Sequence, residues 1–192
     1  MAKTASLTNT SVAQLGEGIL TIGDSAFYHC TNLREIDIPQ SVTTIESFAF
    51  QNSWHLQTLR LPDMLMNIGN NPFAGCADLQ LELPANCTLL EMQDGILFNR
   101  LEARLMWYPE KKEGNTYTIP EGTLAIDSYA FYNSQHLKQV IFPSSVQYVK
   151  EHAFENCPLG EIAFAEGLIE IQAFAFKNCI SLEQVALPNS LK

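Results

Sequence analysis

The feature that most constrains this chain is a segment of about two dozen residues that recurs along it. An aliphatic anchor, usually followed by an Ala-Phe or Pro-Phe pair, returns in steps of 22 or 23 residues, apart from one step of 36. A fixed period in this range predicts a solenoid of stacked short units, here of about seven turns with a longer fourth turn at 90–125. The anchors are Ile22, Ile45, Ile68, Leu90, Ile126, Val149 and Ile171.

Pairs of apolar residues two apart follow the anchors at regular distances. Period-2 spacing places both members of a pair on one face of a strand. A proline ends most of these segments, where strand pairing has to stop. The sequence therefore predicts six short strands that stack in parallel. The pairs are Ile36/Ile38, Leu59/Leu61, Leu81/Leu83, Val140/Phe142, Ile162/Phe164 and Val185/Leu187.

Two further columns lie just after the repeated phenylalanine. The first holds residues that tolerate a left-handed backbone and predicts a single helical turn around each phenylalanine: His29, Asn52, Gly75, Asn133, Asn156 and Asn178. The second interchanges cysteine with serine, which indicates a small, mostly buried slot. Cys157 and Cys179 lie in adjacent turns, so a disulfide between them is one alternative and buried free thiols are the other, which we favour.

The longer fourth turn carries its own signals. Asp94-Gly95 is typical of a hairpin turn, and the segments 96–98 and 105–108 are apolar enough to pair as strands. We predict an inserted, protruding hairpin that presents Trp107 and Tyr108. In the alternative interpretation, these two aromatic residues cover the core where an Ala-Phe turn is missing.

Written as I-x-x-x-A-F-x-N-C-x-x-L-x-x-I-x-I-P, the columns resemble the BspA-type (Treponema-type) leucine-rich repeat family of bacterial surface proteins, over residues 16–192. The fold expected is an α/β repeat: a right-handed leucine-rich-repeat solenoid of parallel strands with short helical turns and one inserted hairpin. The resemblance also implies a non-enzymatic recognition scaffold at the cell surface or outside the cell. It does not specify the ligand.

Composition limits the partners. Only 17% of residues are charged and the net charge is −10. The chain therefore lacks the basic stripe that binding to the phosphate backbone of nucleic acid needs, and we predict no nucleic-acid partner. Residues 1–13 contain no apolar run that fits a signal peptide or membrane span. We interpret 1–13 as a flexible segment and 14–192 as a single solenoid, whose open C-terminal end is available for self-association.

Motifs for catalysis, cofactors or metals are not found in the sequence: it has no phosphate loop, no nucleophile elbow and no zinc-spaced cysteine pair. We therefore predict no enzymatic activity, no cofactor and no metal site.

A candidate ligand-binding surface comes instead from the outward positions of the strands, with the hairpin aromatics as a wall. It consists of Glu35, Asp37, Thr58, Arg60, Glu82, Trp107 and Tyr108. The alternative is that the strand positions only keep the sheet soluble.

Two functions follow from these expectations. The leading hypothesis is a recognition module that binds protein or glycan through the concave sheet and the inserted hairpin. The alternative is a structural spacer or stalk with no ligand of its own.

Overall fold

The structure is a computed structural model, in which residues 10–192 are described. These residues form short β-strands joined by turns, and no helix occurs among them. The chain divides into two compact units, one ending at Met92 and one running from Gln93 to Lys192. The single domain predicted for 14–192 stays a prediction.

The first unit contains two parallel sheets. A four-stranded sheet has the order β1-β3-β5-β7, and a three-stranded sheet has the order β2-β4-β6. Strand β8 lies at the boundary with the second unit. The strands are β1 (Val12–Gln14), β2 (Thr21–Ile22), β3 (Glu35–Asp37), β4 (Thr44–Ile45), β5 (Thr58–Arg60), β6 (Asn67–Ile68), β7 (Gln80–Glu82) and β8 (Leu90–Gln93).

The second unit repeats this arrangement. Four parallel strands have the order β11-β13-β15-β17, and a second sheet contains β16-β14-β12-β10-β9. The strands are β9 (Ile96–Asn99), β10 (Arg104–Trp107), β11 (Thr116–Thr118), β12 (Ala125–Ile126), β13 (Gln139–Ile141), β14 (Tyr148–Val149), β15 (Glu161–Ala163), β16 (Glu170–Ile171) and β17 (Gln184–Ala186).

The six strands predicted from the apolar pairs are confirmed as β3, β5, β7, β13, β15 and β17. With β1 and β11, each four-stranded parallel sheet holds four strands of three residues, so the described part of the chain has about eight turns rather than the seven predicted. The additional strand β1 begins at Val12, inside the segment predicted to be flexible. It pairs with β3 in register, and Ala13 lies beside Ile36. Residues 1–9 of that predicted segment lie outside the described residues.

The left-handed column is confirmed at all six positions, with φ between 56° and 77°. The predicted helical turns are wrong, and the hydrogen bonds give the reason. The N–H of Tyr28 donates to Ser25 within the same turn, but the N–H of Phe27 donates to Ala49 in the next turn. Since alternate N–H groups leave for the neighbouring turn, the i→i−4 ladder of a helix cannot form.

The core of each unit is a stack of phenylalanine rings. Phe27, Phe50 and Phe73 stack in the first unit, with centroids 5.2 and 6.1 Å apart. Phe131 and Phe154 stack in the second unit at 4.6 Å. Each ring packs chiefly against its neighbours one turn away, so a unit is stabilised along its stack.

The cysteine column is buried or half-buried, and none of the five cysteines, all of which lie within residues 10–192, forms a disulfide. This agrees with the favoured interpretation of the sequence. Cys157 donates its thiol hydrogen to the carbonyl oxygen of Phe131 instead of bonding to Cys179.

The inserted hairpin is confirmed as an antiparallel pair of β9 and β10. Asp94 and Gly95, just before β9, both have positive φ, as a type I′ turn requires. The hairpin does not protrude as predicted: β10 also pairs in parallel with β12, and the residues of β9 are all buried. Because both strands carry apolar residues on both faces, they are covered from both sides like strands in a parallel sheet.

Candidate functional site

The outward face of the first unit brings together the five strand residues predicted as a ligand site. In β3, β5 and β7 the central residue points into the core and its two neighbours are exposed. Thr58 lies next to Glu35, and Arg60 lies next to Glu82. Strands in register are about 4.8 Å apart, so these side chains form continuous polar rows. The rows mix acidic, basic and neutral groups: Glu35, Asp37, Thr58, Arg60 and Glu82.

The two hairpin aromatics do not belong to that surface. Trp107 is 3% exposed and Tyr108 is 2% exposed. The ring of Tyr108 packs against Phe131 at 4.9 Å and against Tyr117 at 5.3 Å. Burial raises the pKa of Tyr108 to about 12. The structure thus agrees with the alternative interpretation, in which these aromatics cover the core where an Ala-Phe turn is missing, and they offer no wall to a ligand.

A groove with a volume of about 470 Å³ lies on the outward face of the second unit. It runs across β13, β15 and β17, whose residues stay in register from strand to strand. Two rows of outward side chains border it, a polar row of Gln139, Glu161 and Gln184 and an apolar row of Ile141, Ala163 and Ala186.

Small residues create this groove. Ala163 and Ala186 follow Ile141 in the apolar row and leave space above the sheet. Ala165, which also lines the groove, stands where the repeat favours proline. These positions carry few charges, so charge did not identify them as part of the candidate site. The signal that identifies the groove is side-chain size, since outward alanines on adjacent strands leave a concave surface.

The groove offers two kinds of contact to a ligand. Along the polar row, the Gln139 amide donates to the Glu161 carboxylate at 3.4 Å, and the remaining amide groups can donate or accept. Along the apolar row, the ligand would cover methyl groups. This combination suits an extended ligand with one polar and one apolar edge, because such a ligand satisfies both rows at once.

A profile of the family described as "BspA type Leucine rich repeat region" matches residues 3–99 and 110–192 in six copies. The chain belongs to the BspA-type leucine-rich repeat family. The gap between the two matched ranges falls on residues 100–109, the part of the hairpin where the repeat is replaced. In this family member the hairpin is therefore a departure from the repeat, as its sequence indicated. No match was found among curated proteins.

Solved structures with the same fold come from bacteria. The chain is 25% identical to a leucine-rich cell surface protein from Faecalibacterium prausnitzii, with a TM-score of 0.77. The match includes 94% of this chain and 54% of that protein. The chain is 28% identical to the pneumococcal vaccine antigen PcpA, with coverage of 95% and 40% and a TM-score of 0.67. A leucine-rich repeat protein from Eubacterium ventriosum is 20% identical, with coverage of 97% and 62% and a TM-score of 0.69. The chain thus spans less than two thirds of each of these proteins.

A buried charged cluster in the second unit of this BspA-type chain supports the fold. The carboxylate of Asp127 is fully buried and accepts hydrogen bonds from Arg104 at 2.7 and 2.9 Å and from Lys150 at 2.8 Å. Arg104 also pairs with Glu102. Because Asp127 is sealed from solvent by its two cationic partners, this cluster joins neighbouring turns and does not face a ligand.

Residues 10–192 contain no group of three or more His, Cys, Asp or Glu side chains placed to bind a metal ion. The same residues include no helix with the length and apolarity needed to cross a bilayer.

Proposed function

We propose that this chain is a non-enzymatic recognition module of a bacterial cell-surface or secreted protein, and that it binds protein or glycan through the outward faces of its parallel strands. The observation that carries the proposal is the groove over β13, β15 and β17. A sheet that only had to stay soluble would carry long polar side chains at these positions. The outward alanines instead remove side-chain volume and create a concave, partly apolar surface.

The proposed location rests on relatives. The chain shares its fold and about a quarter of its residues with a bacterial cell surface protein and with the pneumococcal vaccine antigen PcpA. Proteins that reach the cell surface meet host proteins, mucins and glycans, and the proposed ligand belongs to one of these classes.

The polar rows of the first unit extend the proposal to a second surface. Arg60 is the basic member of rows that otherwise hold acidic and neutral groups. Arginine is enriched where proteins recognise partners, because its planar guanidinium offers several donors in a fixed geometry. We therefore include Glu35, Asp37, Thr58, Arg60 and Glu82 in the proposed site and leave out the buried Trp107 and Tyr108.

The test is binding of the chain to an array of host matrix proteins, mucins and glycans. Ala163→Arg fills the groove of the second unit, and Arg60→Ala removes the cation from the first. Ala173→Arg is the matched control, because it places the same side chain on an exposed residue of the second unit that does not line the groove.

Loss of a bound ligand in Ala163→Arg or Arg60→Ala, with binding kept in Ala173→Arg, would support the proposal. Binding that survives both changes would place recognition elsewhere on the chain. A broad array without any bound ligand would favour the alternative function, a structural spacer that holds other domains away from the cell surface.

A further inference from the structure

Three exposed aromatic side chains meet on the surface of the first unit. The ring of His29 lies 5.3 Å from that of Tyr28 and 5.3 Å from that of Trp54, and the planes of the His29 and Trp54 rings meet at 65°. Tyr28 is 50% exposed and Trp54 is 44% exposed. We propose that this aromatic cluster, Tyr28, His29 and Trp54, is a binding site for a neutral saccharide.

The repeat itself shows that the fold does not require these rings. The position of Tyr28, one after the phenylalanine, holds Gln51 and Ala74 in the next two turns. The position of Trp54 holds Thr31 in the turn before and Ala77 in the turn after. Both positions are therefore filled by small or polar residues in the neighbouring turns, and those turns close equally well. In the second unit the Tyr28 position is filled once more by an aromatic residue, Tyr132.

His29 departs from its column as well. The equivalent residues are asparagine or glycine, all in the left-handed conformation that His29 also adopts with φ of 58°. Asparagine and glycine are well suited to this conformation. His29 and Trp54 are thus the only aromatic residues in their columns. Both rings are exposed and lie in contact, and His29 also contacts Tyr28, which indicates a function other than folding.

The geometry leaves ring faces open to a ligand. In an edge-to-face pair one ring offers its edge and the other its face, so the contact between His29 and Trp54, with 65° between the ring planes, covers a face of only one of them. With 44% of Trp54 exposed, indole surface remains accessible. Aromatic faces carry partial negative charge and attract polarised C–H groups such as those on one side of a pyranose ring.

Hydrogen-bonding groups surround these faces. The cluster contributes the Tyr28 hydroxyl, the indole N–H of Trp54 and the imidazole nitrogens of His29, which together can donate to and accept from sugar hydroxyls. Apolar faces edged by such groups match a saccharide, whose rings have C–H faces and hydroxyl rims.

Size and charge separate this ligand class from others. A stable protein interface needs about 800 Å² and roughly 20–30 residues on each side, whereas this cluster has three side chains, enough for one or two sugar rings. The chain has a net charge of −10, so polyanionic ligands would be repelled. A neutral saccharide needs no larger contact area than these three side chains offer, and it is not repelled by the negative charge of the chain.

The site is distinct from the surface in the proposed function. The cluster lies on the turns that follow Phe27 and Phe50, outside strands β3 and β5. The two can therefore succeed or fail separately, because substitutions in one do not alter side chains of the other.

The test uses the intrinsic fluorescence of the chain, which has two tryptophans. Trp107 is buried and Trp54 is exposed, so quenching by acrylamide reports mainly on Trp54. The neutral probes are tri-N-acetylchitotriose, maltotriose and lactose, and hexalysine serves as a cationic probe. We expect at least one saccharide to protect Trp54 from acrylamide in a saturable manner, with Kd in the millimolar range.

Variants taken from the repeat then locate the site. Tyr28→Gln and Trp54→Gln introduce the residue found at the same positions as Gln51 and Gln135, so both variants should keep the unfolding midpoint of the parent chain. Tyr148→Thr is the control, since it removes an exposed aromatic ring outside the cluster and restores the residue found at Thr44. Binding to each variant is measured by saturation-transfer NMR, which does not depend on tryptophan.

The proposal expects Tyr28→Gln and Trp54→Gln each to raise Kd at least tenfold, about 1.4 kcal/mol, while Tyr148→Thr leaves Kd unchanged. It is overturned if no saccharide binds, if binding survives both glutamine variants, or if only hexalysine protects Trp54. The last result would identify the cluster as a site for cationic groups held over aromatic faces.

Discussion

The thiol of Cys157 donates a hydrogen bond to the carbonyl oxygen of Phe131, with 2.9 Å between sulfur and oxygen. The two residues lie 26 positions apart and belong to neighbouring turns. Burial raises the pKa of this thiol, so it keeps its proton and remains a donor at neutral pH. The contact joins the phenylalanine column of one turn to the cysteine column of the next.

The same bond recurs along the chain and explains why cysteine and serine interchange. Cys76 donates to Phe50 at 3.1 Å, Cys179 donates to Phe154 at 3.1 Å, and Ser53 donates through its hydroxyl to Phe27 at 2.8 Å. At these four positions the slot holds a small side chain that also donates a hydrogen bond. Ser134 is the exception in the column, because its buried hydroxyl has no such partner. Size alone, which the sequence indicated, is half of the requirement.

We predict that replacing Cys157 by serine costs less than replacing it by alanine. Cys157→Ser keeps a donor and should lower the free energy of unfolding by under about 1 kcal/mol, while Cys157→Ala loses donor and volume and should cost about 1–2 kcal/mol. Urea unfolding measures both values, and Ser53→Cys and Ser53→Ala provide the reciprocal pair in the first unit. Equal losses for serine and alanine would mean that the thiol hydrogen bond contributes nothing.

A second prediction concerns the buried carboxylate of Asp127, which two cations hold inside the second unit. Asp127→Ala leaves Arg104 and Lys150 without their shared anion, and we expect a loss of about 3–5 kcal/mol in the free energy of unfolding. Glu102 provides the control because it pairs with the same Arg104 from a largely exposed position. Glu102→Ala should cost under about 1 kcal/mol, as is usual for surface ion pairs.

Both changes are measured by urea unfolding at pH 7 and low salt. Similar losses for Asp127→Ala and Glu102→Ala would contradict the view that burial makes the Asp127 pairing strong. An Asp127→Ala variant that fails to fold would be replaced by Asp127→Asn, which keeps the volume and two hydrogen-bonding groups but removes the charge.

Much of the fold could be predicted because particular residues carry their structural requirement in their own chemistry. Asparagine and glycine tolerate left-handed backbone, so the column containing Asn133 and Gly75 was predictable from residue type. The outward positions of the strands followed from period-2 spacing, and the pairing of β9 with β10 followed from the apolar segments 96–98 and 105–108.

A second left-handed column was not predictable. It precedes the alanine of each Ala-Phe pair and contains one serine and four aromatic residues, of which the bulky ones rarely adopt positive φ: Ser25, Phe48, Tyr129, His152 and Phe174. At these positions the hydrogen bonds between turns decide the backbone conformation, and in the second unit ring stacking offsets part of its cost. His152 stacks on Tyr129 at 4.6 Å and on Phe174 at 5.1 Å. Backbone preferences of single residue types carry no information about contacts between turns, so this column could not be predicted from them.

The candidate site was predictable only in part for a related reason. Charge drew attention to Arg60 and Glu82, and aromatic character to Trp107, but neither property reports whether a surface is concave. The groove depends on the absence of side-chain volume at Ala163 and Ala186, and the burial of Trp107 depends on how β10 joins its sheet. Both are consequences of packing between turns.

The third prediction concerns acid sensitivity through Glu166. Its carboxylate accepts hydrogen bonds from the backbone N–H and side-chain amide of Asn189, each at 3.1 Å, and from the N–H of Ser190 at 3.2 Å. These bonds favour the charged form and hold the pKa of Glu166 below its usual value of 4.5. Because the folded-state pKa is the lower one, the stabilisation is present above pH 4.5 and is lost as pH falls through the folded pKa.

Glu166→Gln should therefore flatten the decline in unfolding free energy as pH falls below 4.5, because the amide does not titrate. Glu170→Gln, an exposed glutamate of the same unit on β16, is the control. Urea midpoints measured between about pH 6 and pH 3, with acid-side points only where folding stays reversible, give the two slopes. An unchanged slope in Glu166→Gln would show that these hydrogen bonds do not distinguish the charged form.

The last prediction compares two phenylalanines of the second unit in different environments. Phe131 is fully buried between Tyr108 and Phe154, and Phe131→Ala should cost about 3–5 kcal/mol because it leaves a cavity in the middle of the stack. Phe174 is 63% exposed, with φ of 59°, and stacks on His152. Phe174→Ala should cost about 1 kcal/mol, the contribution of one exposed ring pair. Urea unfolding of both variants measures the difference, and a loss under about 1 kcal/mol for Phe131→Ala would show that the phenylalanine column does not hold neighbouring turns together.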